Sequence, residues 1–314
     1  MTDPVRQIAD AVLYEGYVLW PYRRSALKNQ CRWTFGGVHP EAHARAHPDD
    51  RCLMRTQCLL EGEGATAEVG VRFLQVVRRE VVRGDGTPVD ELTVDGERHL
   101  SWDEAVEREL AAGPFAIPAG RDVEALADAG AIVRSWEALE GSVDVGAEAL
   151  APDLQRLTVE VANTTPWAGG TRAEVLRRTL CSTHAVLRAT GGGFVSLTDP
   201  PERLRAAATA CRNDGSWPVL VGERAQRDTL LCSPIILEDH PRIAPESPGD
   251  LFDGGEIDGL LVLNILALTD DEKAEMRASD PRTREVLERT EALAPEQLMS
   301  LHGAIRDLRA VREP

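Results

Sequence analysis

The sequence predicts an α+β fold: a β-rich, largely antiparallel, sandwich-like body with inserted helices, followed by a helical C-terminal part. Three observations carry this. Apolar residues alternate with period two through much of 54–237. Glycine-bearing turns separate those runs. Capping boxes and 3.6-residue periodicity then concentrate after a proline-rich stretch at 241–250, which divides the chain into 1–240 and 241–314.

Taken in order, Val5 to Leu19 carries Ile8, Val12, Leu13 and Tyr17 at helical spacing. Met54, Thr56 and Cys58 alternate, as do Val69, Val71 and Phe73. Glu61-Gly62-Glu63-Gly64 between them predicts a β-hairpin. A second, short hairpin is expected from Glu91–Val94 and Arg98–Leu100 about Asp95-Gly96. Ser101-Trp-Asp-Glu104 has the form of a capping box and predicts a helix over 102–112. Strands follow at 132–139, 142–145 and 157–162, then a helix opened by the Thr171–Glu174 box. Ala185–Leu187 and Phe194–Leu197 flank Gly191-Gly192-Gly193 as a further hairpin. An alanine-rich helix over 202–211 and strands over 218–221 and 229–237 complete the body. The C-terminal helices fall at 257–268, 270–278, 283–293 and 296–309.

The 314 residues are 43% hydrophobic, enough for a substantial core without a disulfide or metal staple. A net charge of −17 argues against a nucleic-acid or anionic-membrane binder, since phosphate demands a basic footprint. The six cysteines are scattered with no CxxC, the N-terminus has no signal-peptide pattern, and the longest apolar run, 260–268, is too short to span a bilayer. A cytoplasmic protein without a membrane span is the expectation.

Catalytic signatures are incomplete. Ser25-Ala-Leu-Lys28 matches SxxK, but the partner elements of a serine–lysine acyl hydrolase are missing. Gly62-x-Gly64-x-x-Ala67 precedes strand-like alternation, whereas a dinucleotide fingerprint opens a helix. Asp250–Asp258 lacks the ligand spacing of a calcium loop. His184 has no GxSxG nucleophile to serve. An enzyme of unknown chemistry, using His184 or the acids of 238–258, stays open as one alternative.

Two clusters stand out. His39, His43 and His47 recur every four residues near Cys52, and histidines at i and i+4 face one way on a helix, where they suit a divalent metal. Pro40 and Pro48 limit any such helix to about two turns. The other cluster is the stretch from Trp20 to Trp33, basic and aromatic in an acidic chain. Arginine among aromatics is what protein interfaces enrich, so Tyr22, Arg23, Arg24, Lys28, Arg32 and Trp33 are candidates for contact with a protein partner or an anion. The bland reading is that these arginines pair with the chain's own carboxylates.

Several stretches are familiar together: Tyr14-Glu-Gly-Tyr-Val-Leu-Trp-Pro-Tyr-Arg-Arg-Ser-Ala-Leu-Lys-Asn29, Arg32-Trp-Thr-Phe-Gly36, Ser182-Thr-His184, Phe194–Pro201, Cys211–Gly222 and Ser233–Asp253, running on to Asp258. Across nearly its whole length the chain resembles an uncharacterised actinobacterial protein family encoded beside high-affinity nickel–iron hydrogenase genes. That resemblance implies a non-catalytic accessory role in hydrogenase maturation, assembly or stability, exercised by binding a hydrogenase subunit or maturation factor. It brings no catalytic residues and no established cofactor. The alternative from the residues is a protein that handles nickel, iron or zinc through His39, His43 and His47.

Overall fold

The structure is a computed structural model that describes residues 4–14, 35–242, 262, 264–279 and 281–294. Helix α1 (Pro4–Tyr14) is followed by the short α2 (Glu41–Ala46), and the chain then enters the β body. Its strands are β1 (Leu53–Glu61), β2 (Thr66–Arg83), β3 (Pro88–Val89), β4 (Glu91–Val94), β5 (Glu97–Leu100), β6 (Trp102–Ala111), β7 (Gly113–Ile117) and β8 (Gly120–Leu126). They continue with β9 (Gly130–Trp136), β10 (Leu139–Ala151) and β11 (Leu154–Asn163). After α3 (Arg172–Leu176) come β12 (Cys181–Thr190), β13 (Gly193–Phe194), α4 (Arg205–Thr209), β14 (Trp217–Leu220) and β15 (Thr229–Ser233). Helices α5 (Asp270–Ser279) and α6 (Pro281–Glu291) close the described chain.

Among the described residues every strand pairing is antiparallel, and the fold is a β-rich α+β one as the alternation implied. One sheet runs β13-β1-β11-β10-β7. The other runs β14-β15-β12-β2-β9-β8, with β3 and β6 also on β2. The largest core cluster draws on both: Met54, Cys58, Leu60, Val143, Val159 and Val161 from the first, Val71, Phe73, Ala185, Leu187 and Leu230 from the second. Phe73 and Phe194 are fully buried, each contributing roughly 1.5–3 kcal/mol by removing apolar surface from water. Helix α1 covers the outer face of the second sheet with Ile8 and Ala9 against Val186, Val219 and Leu231. Arg72 clamps it there, reaching Asp10 at 2.6 Å and Glu107 at 3.0 Å.

Three local expectations are corrected. The helix over 102–112 is strand β6, laid along β2 with Arg72 opposite Glu109 and Phe73 opposite Arg108. The long apolar β2 needs a partner along this edge, and that tertiary demand overrides helix propensity. Ser101 is no cap: its hydroxyl accepts from Val81 N at 2.9 Å and donates to the Val89 carbonyl at 2.6 Å. Nor do β1 and β2 form a hairpin, since β1 pairs with β11 and β13 while β2 pairs in the other sheet. The same holds for β12 and β13. Both glycine turns are places where the chain changes sheets, and they touch: a Cβ on Gly192 would lie 2.1 Å from the Glu61 carbonyl oxygen. Alternation shows that a residue pair faces a core, but not which strand is its neighbour.

Elsewhere the local reading holds. The hairpin of β4 and β5 turns at Asp95 and Gly96, both at positive φ. Thr171 and Glu174 form a reciprocal capping box on α3. Helices α5 and α6 pack through Met276, Leu287 and Ile265. The buried Arg79 of β2 ties them to the body, donating to the carbonyls of Ala278 and Ser279. The helix expected over 296–309 lies outside the described residues, as does half of that over 257–268.

Candidate metal centre

Three elements converge at one end of the first sheet. Val38 makes a two-way backbone bridge with Leu180, and Asn163, at the end of β11, donates its side-chain amide to the carbonyls of Val38 and Arg178, both at 2.8 Å. His39 is thereby fixed, with its own N–H donated to the Arg51 carbonyl at 2.7 Å. A Cβ on Gly37 would lie 2.8 Å from His39 Cε1, so this glycine leaves room for the ring.

Pro40 then starts α2, which stops at His47, within the two turns that Pro40 and Pro48 allow. The chain folds back through a turn in which Asp50 N donates to the His47 carbonyl at 2.9 Å. That return brings Asp50 onto the two histidines. His43 Nε2 lies 2.8 Å from Asp50 Oδ2, and His39 Nε2 lies 3.7 Å from Asp50 Oδ1. One donor atom from each of His39, His43 and Asp50 falls within 4.8 Å of the others. Zinc-type bonds of about 2.0–2.1 Å set neighbouring ligand atoms about 3.3 Å apart, so a modest contraction would close the set on an ion.

Burial shapes the chemistry. His39 is 5% exposed, and neither of its ring nitrogens has a hydrogen-bond partner among the described residues. Burial holds its pKa below the ordinary imidazole value against the opposing pull of Asp50, a shift that favours the neutral form. For Asp50, burial pushes upward, but the His43 hydrogen bond and the charges of His39 and Arg172 outweigh it, and the carboxyl stays below its usual range. Around the set, Trp167 meets His43 edge-on with centroids 6.3 Å apart, and Arg178 sits over Trp167 at 5.6 Å. Arg172 approaches Asp50 Oδ2 to 3.5 Å.

Of the expected ligands, the structure brings His39 and His43 together. His47 stacks on His43 with ring centroids 4.2 Å apart. The converging set does not include Cys52; its third member is Asp50. Asp50 was not singled out because seven residues separate it from His43, and only the tight turn after His47-Pro48 spans them. The acidic pair Asp49-Asp50 straight after the histidine run was the available signal.

The other candidates diverge. Tyr22, Arg23, Arg24, Lys28, Arg32 and Trp33 lie outside the described residues, as do Ser25, Cys31 and the acids of 250–258. Asp239 is engaged locally, accepting from Leu220 N at 2.8 Å and from the Ser196 hydroxyl at 2.5 Å. His240 Nδ1 lies 3.2 Å from the Gly222 carbonyl. His184 is fully buried on β12 with Nδ1 donating to the Ser182 carbonyl at 3.2 Å. Cys52, Cys58, Cys181, Cys211 and Cys232 are free thiols. No described helix is long and apolar enough to cross a membrane. No protein-family model matches the chain, and no curated protein matches it.

Proposed function

We propose that this chain is a non-catalytic accessory protein that holds one divalent first-row transition-metal ion between His39, His43 and Asp50. The observation that supports it is His39: a buried imidazole with no close hydrogen bond on either ring nitrogen, its Nε2 3.7 Å from Asp50, beside a second imidazole. An unpaired buried polar group costs about 1–3 kcal/mol, and an ion would offset that cost. Two imidazoles and a carboxylate suit zinc, nickel or iron(II) rather than calcium or magnesium, which take oxygen ligands.

The sequence resemblance supplies the setting, a hydrogenase subunit or its maturation machinery as the partner, with Tyr22, Arg23, Arg24, Lys28, Arg32 and Trp33 as its contact. Metal handling and partner binding are compatible, because the two sets of residues do not overlap.

Titration of metal-stripped protein with zinc and with nickel tests the centre. One ion per chain is expected for the wild type, with binding lost in His43→Ala and Asp50→Ala. A wild type that takes up neither metal, or variants that bind as it does, would overturn the reading. Recovery of hydrogenase components on the wild type but not on the Arg23→Ala/Arg24→Ala/Arg32→Ala variant tests the contact. Equal recovery on both removes that surface.

A further inference from the structure

His47 has a place in the arrangement that equilibrium binding does not explain. The three imidazoles form a column. His39 stacks on His43 with centroids 5.4 Å apart, His43 stacks on His47 at 4.2 Å, and both pairs are tilted by 26°. Burial falls along the column. His39 and His43 are 5% and 8% exposed, whereas His47 is exposed to solvent. His47 is also the C-cap of α2, with its N–H on the carbonyls of His43 and Ala44, so the backbone fixes where its side chain starts.

The column contains two overlapping sets of metal-binding atoms. The inner set is His39, His43 and Asp50. The outer is the buried His43 with the exposed His47, the C-cap four residues on, whose ring centroid lies 4.2 Å from that of His43. His43 belongs to both. From this geometry we infer that His47 is an exchange ligand. It takes the ion from solvent or from a donor, passes it inward across His43, and receives it again on release. The inference rests on the metal centre proposed above, and says how that centre is loaded and emptied.

The exchange balances without a redox step. As the ion arrives, bonds to an imidazole nitrogen of His47 and one of His43 form and bonds to two coordinated waters break. As it moves inward, bonds to His39 and Asp50 form while the bond to His47 and one to a further coordinated water break, and the bond to His43 is kept. The proton between His43 Nε2 and Asp50 Oδ2 is displaced, to Nδ1 if the ring is neutral and to solvent if it is charged. The ion stays divalent throughout.

A ligand used only in transit changes rates and not affinity, because it lowers one barrier crossed in both directions. For zinc as the probe, His47→Ala is expected to leave the dissociation constant within about twofold of wild type. Release into excess chelator should slow by roughly tenfold, with uptake slowed in proportion. Free imidazole added to the solution should speed release from His47→Ala more than from the wild type. The residue is exposed, so the melting temperature of the metal-free variant should match that of the wild type. An unchanged release rate overturns the inference and leaves the centre intact. So does a loss of affinity as large as that of His39→Ala, since His47 would then be a fixed ligand. A wild type that binds no zinc removes the centre and this inference with it.

Discussion

His39 and His184 are both buried imidazoles with a ring nitrogen left unpartnered among the described residues, yet their surroundings lead to opposite readings. His184 sits in β12 beside the irregular register at Cys181–His184, where Ser182 has a positive φ. Its Nδ1 is spent on the Ser182 carbonyl, and the charges nearest in effect, Arg72 and Glu107, already pair with each other at 3.0 Å. Among the described residues no cluster of metal-ligating side chains includes it. His39 has neither ring nitrogen in a close hydrogen bond, a second imidazole stacked at 5.4 Å and the Asp50 carboxylate 3.7 Å from Nε2. One orphaned buried nitrogen is therefore a cost that a fold tolerates. Several donors converging on the same space make a candidate site.

The comparison breaks most visibly on metal affinity. His39→Ala removes one of the three proposed ligands and should weaken zinc binding by more than roughly 1,000-fold, about 4 kcal/mol, well beyond the 10–100-fold typical of outer-shell partners. His184→Gln should bind zinc as the wild type does. Competition against a chromophoric chelator measures both, and similar losses in the two variants would end the distinction.

Acid should expose the other histidine. Burial, aided by the Arg72 charge, lowers the His184 pKa to about 4 despite the Ser182 hydrogen bond. The unfolded chain takes up this proton near the ordinary value of about 6.5, while the folded chain resists it down to about 4. Its contribution is therefore fully present above about pH 6.5 and falls as pH drops through that window, by at most about 3 kcal/mol. Urea midpoints at pH 7 and pH 4.5 should diverge less in His184→Gln than in the wild type. An NMR titration that places His184 near 6.5 in the intact protein would defeat this account.

The sequence made the two histidines unequal in a different way from the structure. The four-residue recurrence of His39, His43 and His47 is visible in one dimension, and the prolines that confine α2 are equally plain. What could not be read was Asp50, because a carboxylate seven residues away reaches His43 only through the turn at His47–Asp50. Strand partners were hidden for a similar reason. The alternation in β1 and β2 marks buried faces, but the exchange of sheets at Gly62 and Gly192 depends on contacts between turns some 130 residues apart. Ser101-Trp-Asp-Glu104 misled because a capping box and a strand preceded by a bridging serine share the same four letters. The deciding partners, Val81 N and the Val89 carbonyl, lie 20 and 12 residues upstream.

The smallest effect is expected at Arg172, and it bears most directly on which group faces an ion. Its guanidinium lies 3.5 Å from Asp50 Oδ2, on a side chain that is 51% exposed. Two roles are conceivable for such a neighbour, with opposite signs. If Asp50 is a ligand, Arg172 competes for the carboxylate and repels a divalent cation, so Arg172→Ala should tighten zinc binding. The gain should be small, about two- to fivefold, because an exposed pair in water contributes only about 0.2–1 kcal/mol. It should shrink further as salt is raised, since screening weakens the repulsion. If Arg172 instead holds the carboxylate in place for an ion it does not otherwise affect, the same substitution weakens binding and salt matters little. Tighter, salt-sensitive binding in Arg172→Ala thus identifies Asp50 as the ion-facing carboxylate; weaker, salt-insensitive binding assigns Arg172 to positioning.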